Sequence, residues 1–238
     1  MKGISFWLVL LIGGFLMGAC DDGCIPEVDV IPQTGGYVAK LTGNITGIKR
    51  WSNPYTVVLA GFSDDSDYAT VLKNLPTNDG NISVTLANIP TDTQRVELCV
   101  TNALRKHIIT LASITIGEAS GDTIRLDVGQ LDASQFATIQ QHVFSTTCAN
   151  CHGSSTFAAA GLHLTEGKSY NNLINSKSSK ETGLMRIKPG DAENSVLFRA
   201  LTTDISSDGK WRYDHTSEVV NENILTLIAN WINAGASE

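Results

Sequence analysis

Hydrophobic and polar residues alternate over most of residues 37–128, in short runs rich in Val, Ile, Thr and Tyr. A period of two is typical of strands that bury one face, and Gly, Asn, Asp and Pro separate the runs as they do in turns. The pattern predicts seven strands, at 37–48, 55–62, 69–75, 81–89, 95–102, 107–116 and 122–128. Strands at this spacing predict an all-β domain over 25–131, an antiparallel sandwich of the immunoglobulin-like type.

From Asp132 onwards the apolar residues recur at helical spacing. Asp132 or Ser134 can cap a first helix, and Asn221 can cap a second helix over 222–233. Two amphipathic helices at the ends of one segment can pack across each other and close a pocket. The pattern therefore predicts a second, all-α domain over 132–238.

The start of the chain has the features of a secretory signal peptide over 1–19. Lys2 is followed by an apolar run at 4–17 that is too short for a comfortable membrane span. The small residues before Cys20 resemble a bacterial lipobox, which predicts lipidation of Cys20 and a tether over 20–24. The alternative is ordinary cleavage, which leaves a plain thiol. We expect export and a lipid anchor on a bacterial membrane, at the periplasmic face or the cell surface.

The net charge of the chain indicates which classes of molecule are expected to bind it. The 238 residues include 17 basic and 24 acidic side chains, for a net charge of −7 at pH 7. Binding to nucleic acid favours a basic face, so a nucleic-acid partner is not expected.

The sequence Cys148-Ala149-Asn150-Cys151-His152 has the C-x-x-C-H pattern of covalent haem c attachment. Its two thiols can bond the porphyrin, and its histidine can be the proximal ligand of the iron. The alternatives are a reduced cysteine pair or half of a zinc site. A zinc site of this kind favours a second pair of ligands at matching spacing, and the C-x-x-C pattern does not recur in the chain.

Two of the five cysteines, Cys24 and Cys99, remain after the lipid and haem assignments. An oxidising compartment makes a disulfide between them a reasonable prediction. Two unpaired thiols are the alternative.

Four segments occur in a characteristic order, at 148–153, 161–164, 187–198 and 231–236. Together they resemble a monohaem cytochrome c domain of exported planctomycete and Bacteroidetes proteins, over 136–236. The resemblance implies a cytochrome c fold, one covalent haem c and a haem wall that includes Leu162, Leu164, Ile187 and Leu197.

The second axial ligand departs from this family. Many such domains take it from a Met-Pro-Pro segment before the last helix, and residues 211–216 contain no methionine. His215 lies 63 residues after His152, and Met185, the only methionine beyond residue 19, lies 33 residues after it. The longer spacing is similar to that of small cytochromes c. It favours His215 over Met185, with an open iron as a third possibility.

These expectations favour a membrane-anchored carrier that exchanges single electrons with an unidentified redox protein, rather than a catalyst. One alternative is a surface lipoprotein whose β-domain binds a glycan or a protein, with an accessory haem. Trp51 and Tyr55 are its candidate contacts, although packing is the commoner role of such side chains. Another alternative is a haem enzyme or gas sensor with an open distal site.

Overall fold

The computed structural model describes residues 36–118, 123–153, 156, 158–206 and 213–238. Gly35–Glu238 form one compact unit. The predicted signal peptide, Cys20 and Cys24 lie outside the described residues. Within the described part of the chain, no helix has the length and apolar character needed to cross a bilayer.

Within the described residues, seven strands lie at the positions that the sequence predicts, with ends that differ by up to four residues. They are β1 Tyr37–Thr46, β2 Thr56–Phe62, β3 Val71–Asn74, β4 Gly80–Ile89, β5 Arg95–Thr101, β6 His107–Thr115 and β7 Thr123–Asp132. In β4 the alternation is regular, because Ile82, Val84 and Leu86 are buried while the residues between them are exposed. The position of such a strand can be predicted from the sequence, because burial of one face gives its apolar residues a period of two.

The strands form two sheets, with the orders β4-β1-β7 and β3-β2-β5-β6. The expected all-antiparallel arrangement is wrong for one pair, since β1 and β7 are parallel. Leu41 of β1 lies opposite Val84 on one side and Leu126 on the other, and all three are buried. The long chain between β1 and β7 allows this, because parallel neighbours require a long connection.

The helices are short except for the last one. They are α1 Gln135–Ile139, α2 Ala149–His152, α3 Ser169–Leu173, α4 Val196–Thr202 and α5 Glu222–Asn233. A π-helical segment, Gln140–Cys148, joins α1 to α2, so these residues form one continuous helical run. The two predicted caps, Ser134 and Asn221, are in place.

The predicted fold class, with an all-α cytochrome c fold at the C-terminal end, is wrong. Strand accounts for 34% of the structure and helix for 27%. Between α2 and α5 the chain forms short helices and isolated β-bridges, such as those that pair Met185 with Lys177 and with Ser195. The two end helices had a clear helical period, but the segment between them is rich in Gly, Asn and Ser. Such residues favour turns, and helices of five residues depend on tertiary packing.

The two end helices pack through aromatic side chains. Phe136 of α1 stacks on Trp231 of α5, with ring centres 5.4 Å apart. Tyr170 of α3 contacts Phe136 edge-on at 5.1 Å. Trp231 is 2% exposed, so this cluster forms the core beneath the helical run.

Trp51 and Tyr55 attach the β-strands to the helices. The Trp51 indole donates a hydrogen bond to the Ala133 carbonyl oxygen at 2.6 Å. The Asn230 amide of α5 donates to the Tyr55 hydroxyl at 3.0 Å. The polar groups of both aromatic residues are therefore used within the protein, and their role as ligand contacts stays a prediction.

Candidate functional site

The C-x-x-C-H segment lies at the end of the helical run. The run begins at Ser134, whose hydroxyl accepts a hydrogen bond from the Ala137 N–H at 3.2 Å and so caps the first turn. Of the two thiols, that of Cys148 is half-buried and that of Cys151 is exposed. Helical residues three and four apart share a face, so both thiols and the His152 imidazole leave the same side of the run.

Buried Gln140 anchors this run to the following loop. Its Nε2 donates to the Leu164 carbonyl oxygen at 3.0 Å, and its Oε1 accepts from the Ser169 hydroxyl at the start of α3. Satisfied buried polar groups of this kind specify one arrangement of the chain. The helical run and the loop are therefore held together.

The loop orients His152. Its Nδ1 lies 3.1 Å from the Ala159 carbonyl oxygen and 3.2 Å from that of Leu162. Burial lowers the pKa of His152, although both carbonyl oxygens oppose this shift. A neutral imidazole that donates from Nδ1 leaves the Nε2 lone pair available to a metal, as is usual for metal-bound histidines.

Arg186 holds the same loop in place. Its Nη2 donates to the carbonyl oxygens of Ala160 and Gly161, both at 3.2 Å, and its Nη1 donates to that of Asn172 at 2.9 Å. Ala160 has φ 54°, a left-handed conformation that is unfavourable for residues other than glycine. The guanidinium thus stabilises a strained turn whose neighbouring carbonyls orient His152.

Arg186→Lys should loosen this loop, because a lysine ammonium cannot reproduce the fixed fork of a guanidinium. A lost hydrogen bond costs about 1 kcal/mol, so amide exchange at 159–164 should accelerate roughly fivefold or more. Hydrogen–deuterium exchange of the chain without haem measures this. Arg199→Lys, the same chemical change on α4, is the matched control. Equal exchange in both variants would show that Arg186 does not hold the loop.

A second histidine faces His152 from a tight turn at 213–218. The Glu218 N–H donates to the His215 carbonyl oxygen at 3.1 Å, and the Asp214 carboxylate accepts from the Thr216 N–H at 2.9 Å. Asp214 therefore stabilises the turn. The Tyr213 hydroxyl donates to the Glu218 carboxylate, and its ring packs edge-on against His215 with centres 5.1 Å apart.

The two imidazoles have the spacing of a shared metal site. Their ring centres are 6.4 Å apart and their planes differ by 30°. A metal–nitrogen bond is about 2 Å long and a ring centre lies roughly 1.1 Å behind its nitrogen, so two ligands on opposite sides of one metal have ring centres about 6.2 Å apart. The ring-centre separation of His152 and His215 is close to this spacing, and the two thiols leave the same helical face as His152.

Burial raises the pKa of the Cys148 thiol to about 11, and the nearby Glu218 carboxylate adds to the shift. This thiol is therefore protonated at neutral pH. Both thiols lie on the helical face that carries His152, and that arrangement of residues fits covalent attachment of a haem c.

The four predicted wall residues differ in burial. Leu164 and Ile187 are fully buried in the core, and Leu162 and Leu197 are partly buried against it. Leu164 also contacts the motif, since its N–H donates to the His152 carbonyl oxygen at 2.8 Å. Their contact with haem stays a prediction.

Met185, the alternative ligand, lies in the β-bridged segment before α4. It is half-buried, and its carbonyl oxygen accepts from the Val196 N–H at 3.1 Å. Of the two candidate ligands, the structure places the ring of His215 near that of His152, and the assignment of a distal ligand stays a prediction.

Two cysteines outside the motif, Cys24 and Cys99, are the predicted disulfide pair. Cys99 is fully buried in β5 and is a free thiol. Cys24 lies outside the described residues, so the disulfide between them stays a prediction.

Within the described ranges, the one group of three metal-binding side chains close enough to share an ion is Glu97, Cys99 and His107. Cys148 and Cys151 do not belong to it, which disfavours the zinc alternative for the motif.

Sequence reasoning missed Arg186, Tyr213 and Glu218. Arg186 precedes the Ile-Lys-Pro-Gly segment at 187–190, and an arginine beside a conformationally special turn was the available signal. The roles of Tyr213 and Glu218 depend on how the turn at 213–218 folds over the motif, which local pattern does not specify.

Two clefts in the described chain lie away from this site, on either side of Trp51. The larger, of about 520 Å³, is bordered by Tyr55 and Leu75, and the smaller, of about 180 Å³, by Gln135 and Trp231. Neither is lined by the C-x-x-C-H residues. No family model, curated protein or solved structure matches the chain.

Proposed function

We propose that this protein is a membrane-anchored monohaem c-type cytochrome that transfers single electrons outside the cytoplasm. The observation that carries the proposal is the 6.4 Å separation of the His152 and His215 rings beside the Cys148 and Cys151 thiols. The surrounding fold differs from the expected all-α one. The proposal therefore depends on the site and not on the architecture.

The chain's own residues hold the group and direct its chemistry. The S–H groups of Cys148 and Cys151 would each add across one vinyl group of the haem, with sulfur bonding one carbon and hydrogen the other. His152 would bind the iron through Nε2, because its Nδ1 is directed to the Ala159 and Leu162 carbonyl oxygens. Iron bound in this way supplies a one-electron couple.

Two histidine ligands favour electron exchange over catalysis. With both His152 and His215 as ligands, the iron would have no open position for peroxide or a gas. Two imidazoles also give a lower reduction potential than imidazole with thioether, because thioether favours the reduced metal.

The exposed side of the motif is where a partner protein can approach. Cys151 is exposed while Cys148 is half-buried, so a group bonded to Cys151 would be reachable from solvent. Lipid on Cys20 would hold the protein at a membrane. The partner that fits is another redox protein in the same compartment.

The proposal predicts covalent haem on the full chain when it is expressed with a c-type haem maturation system. Wild type and Cys99→Ala should keep about one haem per chain after denaturation, since Cys99 lies outside the motif. Cys148→Ala/Cys151→Ala should keep none. Absorbance of denatured protein and intact mass measure this, and a redox titration should show one single-electron transition. Haem that is absent from wild type, or that dissociates from it on denaturation, would refute the proposal.

A further inference from the structure

A second cluster of metal-binding side chains lies on the four-stranded sheet. Glu97 and Cys99 are two residues apart on β5 and point to the same face. This face is opposite the main core, to which Leu98 and Val100 belong. His107, at the start of the neighbouring β6, completes the cluster. The proposed electron transfer uses none of these three residues.

The ligand atoms of the three side chains lie within 4.8 Å of one another. Glu97 Oε2 is 3.0 Å from His107 Nε2. The Thr110 hydroxyl lies 2.8 Å from that carboxylate oxygen and 2.9 Å from the same nitrogen. Two ligands bonded to one metal at about 2.0–2.1 Å are separated by roughly 3.0–3.4 Å. The carboxylate and imidazole are therefore close to ligand spacing already.

The cluster is buried on one side and open on the other. Glu97 is 4% exposed and Cys99 is fully buried, whereas the His107 side chain is 25% exposed. An ion can therefore enter past His107. Burial of an ionised carboxylate is costly without a compensating cation or hydrogen bonds.

The supporting residues resemble the outer shell of a metal site. Arg95 Nε donates to Glu97 Oε1 at 2.7 Å, which orients the carboxylate and leaves Oε2 in the cluster. Hydrogen-bonded ligands of this kind are characteristic of protein metal sites. The β5–β6 ladder also shifts register on both sides of Cys99, between Leu98 and Cys99 and between Val100 and Thr101. Bulges re-aim side chains near functional sites.

We propose that Glu97, Cys99 and His107 bind a divalent transition-metal ion of the zinc type. Thiolate, imidazole and carboxylate together are a donor set that zinc and cobalt accept. On binding, the Cys99 S–H bond breaks, the proton passes to solvent and a sulfur–metal bond forms. Glu97 binds as carboxylate and His107 as neutral imidazole. The Thr110 hydroxyl or a water completes four ligands.

Cobalt(II) titration of the reduced full chain tests this site, because cobalt bound to thiolate absorbs in the near ultraviolet. The background variant Cys148→Ala/Cys151→Ala removes the thiols of the C-x-x-C-H motif. One equivalent of cobalt should give the thiolate band in this background, and zinc should displace it. Adding Cys99→Ala should abolish the band. His107→Gln should weaken binding at least about a hundredfold, since loss of an outer-shell partner alone costs roughly 10- to 100-fold.

Three outcomes would overturn the proposal. The first is a thiolate band that persists in the Cys99→Ala variant, and the second is unchanged affinity in His107→Gln, which tests the site even if Cys99→Ala misfolds. The third is a Cys24–Cys99 disulfide in the exported protein, detected by peptide mass, since it consumes the ligand thiol. Haem attachment does not enter these results, so the site and the proposed function are tested separately.

Discussion

His215→Ala is expected to convert the haem protein from six-coordinate low-spin iron to high-spin iron almost completely. The parent should lack the far-red band of a methionine–iron bond, because the proposed ligands, His152 and His215, are both imidazoles. The variant should bind carbon monoxide readily, since one axial position becomes available. Absorption spectra of the oxidised and reduced proteins, with and without carbon monoxide, measure both effects.

Two matched variants make this result specific. His163→Ala removes another half-buried histidine near the motif and should leave the spectrum unchanged. Met185→Leu removes the alternative ligand and should also leave it unchanged. If the parent shows the far-red band and Met185→Leu removes it, methionine is the ligand and the His215 assignment is wrong. A parent that is already high-spin would favour an enzyme or a gas sensor.

Trp231→Ala is expected to reduce the free energy of unfolding by about 3–5 kcal/mol, the usual range for large aromatic residues in a core. Trp231 is 2% exposed, stacks on Phe136 at 5.4 Å and donates through its indole N–H to the Ser237 carbonyl oxygen at 2.8 Å. The total stability of a domain is roughly 5–15 kcal/mol, so this loss is large. Urea unfolding followed by circular dichroism measures it.

Val220→Ala is the control for this measurement. Val220 is 78% exposed, and surface changes of this kind usually alter stability by less than about 0.5 kcal/mol. A loss below about 1 kcal/mol for Trp231→Ala would contradict the packing of α1 against α5. Haem absorbance recorded in the same titration shows whether the site and the strands unfold together.

The pairing of the strands into sheets shows what the local sequence pattern could predict and what it could not. The strands were predicted from short runs rich in Val, Ile, Thr and Tyr between turn residues. Burial of one face gives the clearest alternation in β4, through Ile82, Val84 and Leu86. The parallel pairing of β1 with β7 was not predicted, since register between distant strands depends on the packing of the whole core.

In the helical part of the chain, the local sequence pattern again predicted some elements, and tertiary contacts decided the others. The cap at Asn221 and α5 were predicted at the correct residues, because cap chemistry and a 3.6-residue period are local. Residues 153–220 carry neither signal. Their bridges and short helices depend on contacts such as that of the Ile187 N–H with the Leu173 carbonyl oxygen, and an all-α fold was therefore the wrong extrapolation.

By itself the sequence determined the strand positions and the two capped helices, because each depends on neighbouring residues. The C-x-x-C-H pattern of Cys148, Cys151 and His152 is local in the same way, and its haem chemistry stays a prediction. Only the tertiary structure decided which side chains meet. It brought the ring centre of His215 to 6.4 Å from that of His152. It placed Arg186 against the loop that orients His152. It also assembled Glu97, Cys99 and His107 on one sheet face. The physical reason is that these contacts join residues distant in the chain, and their closeness follows from the burial of a shared core rather than from any local pattern.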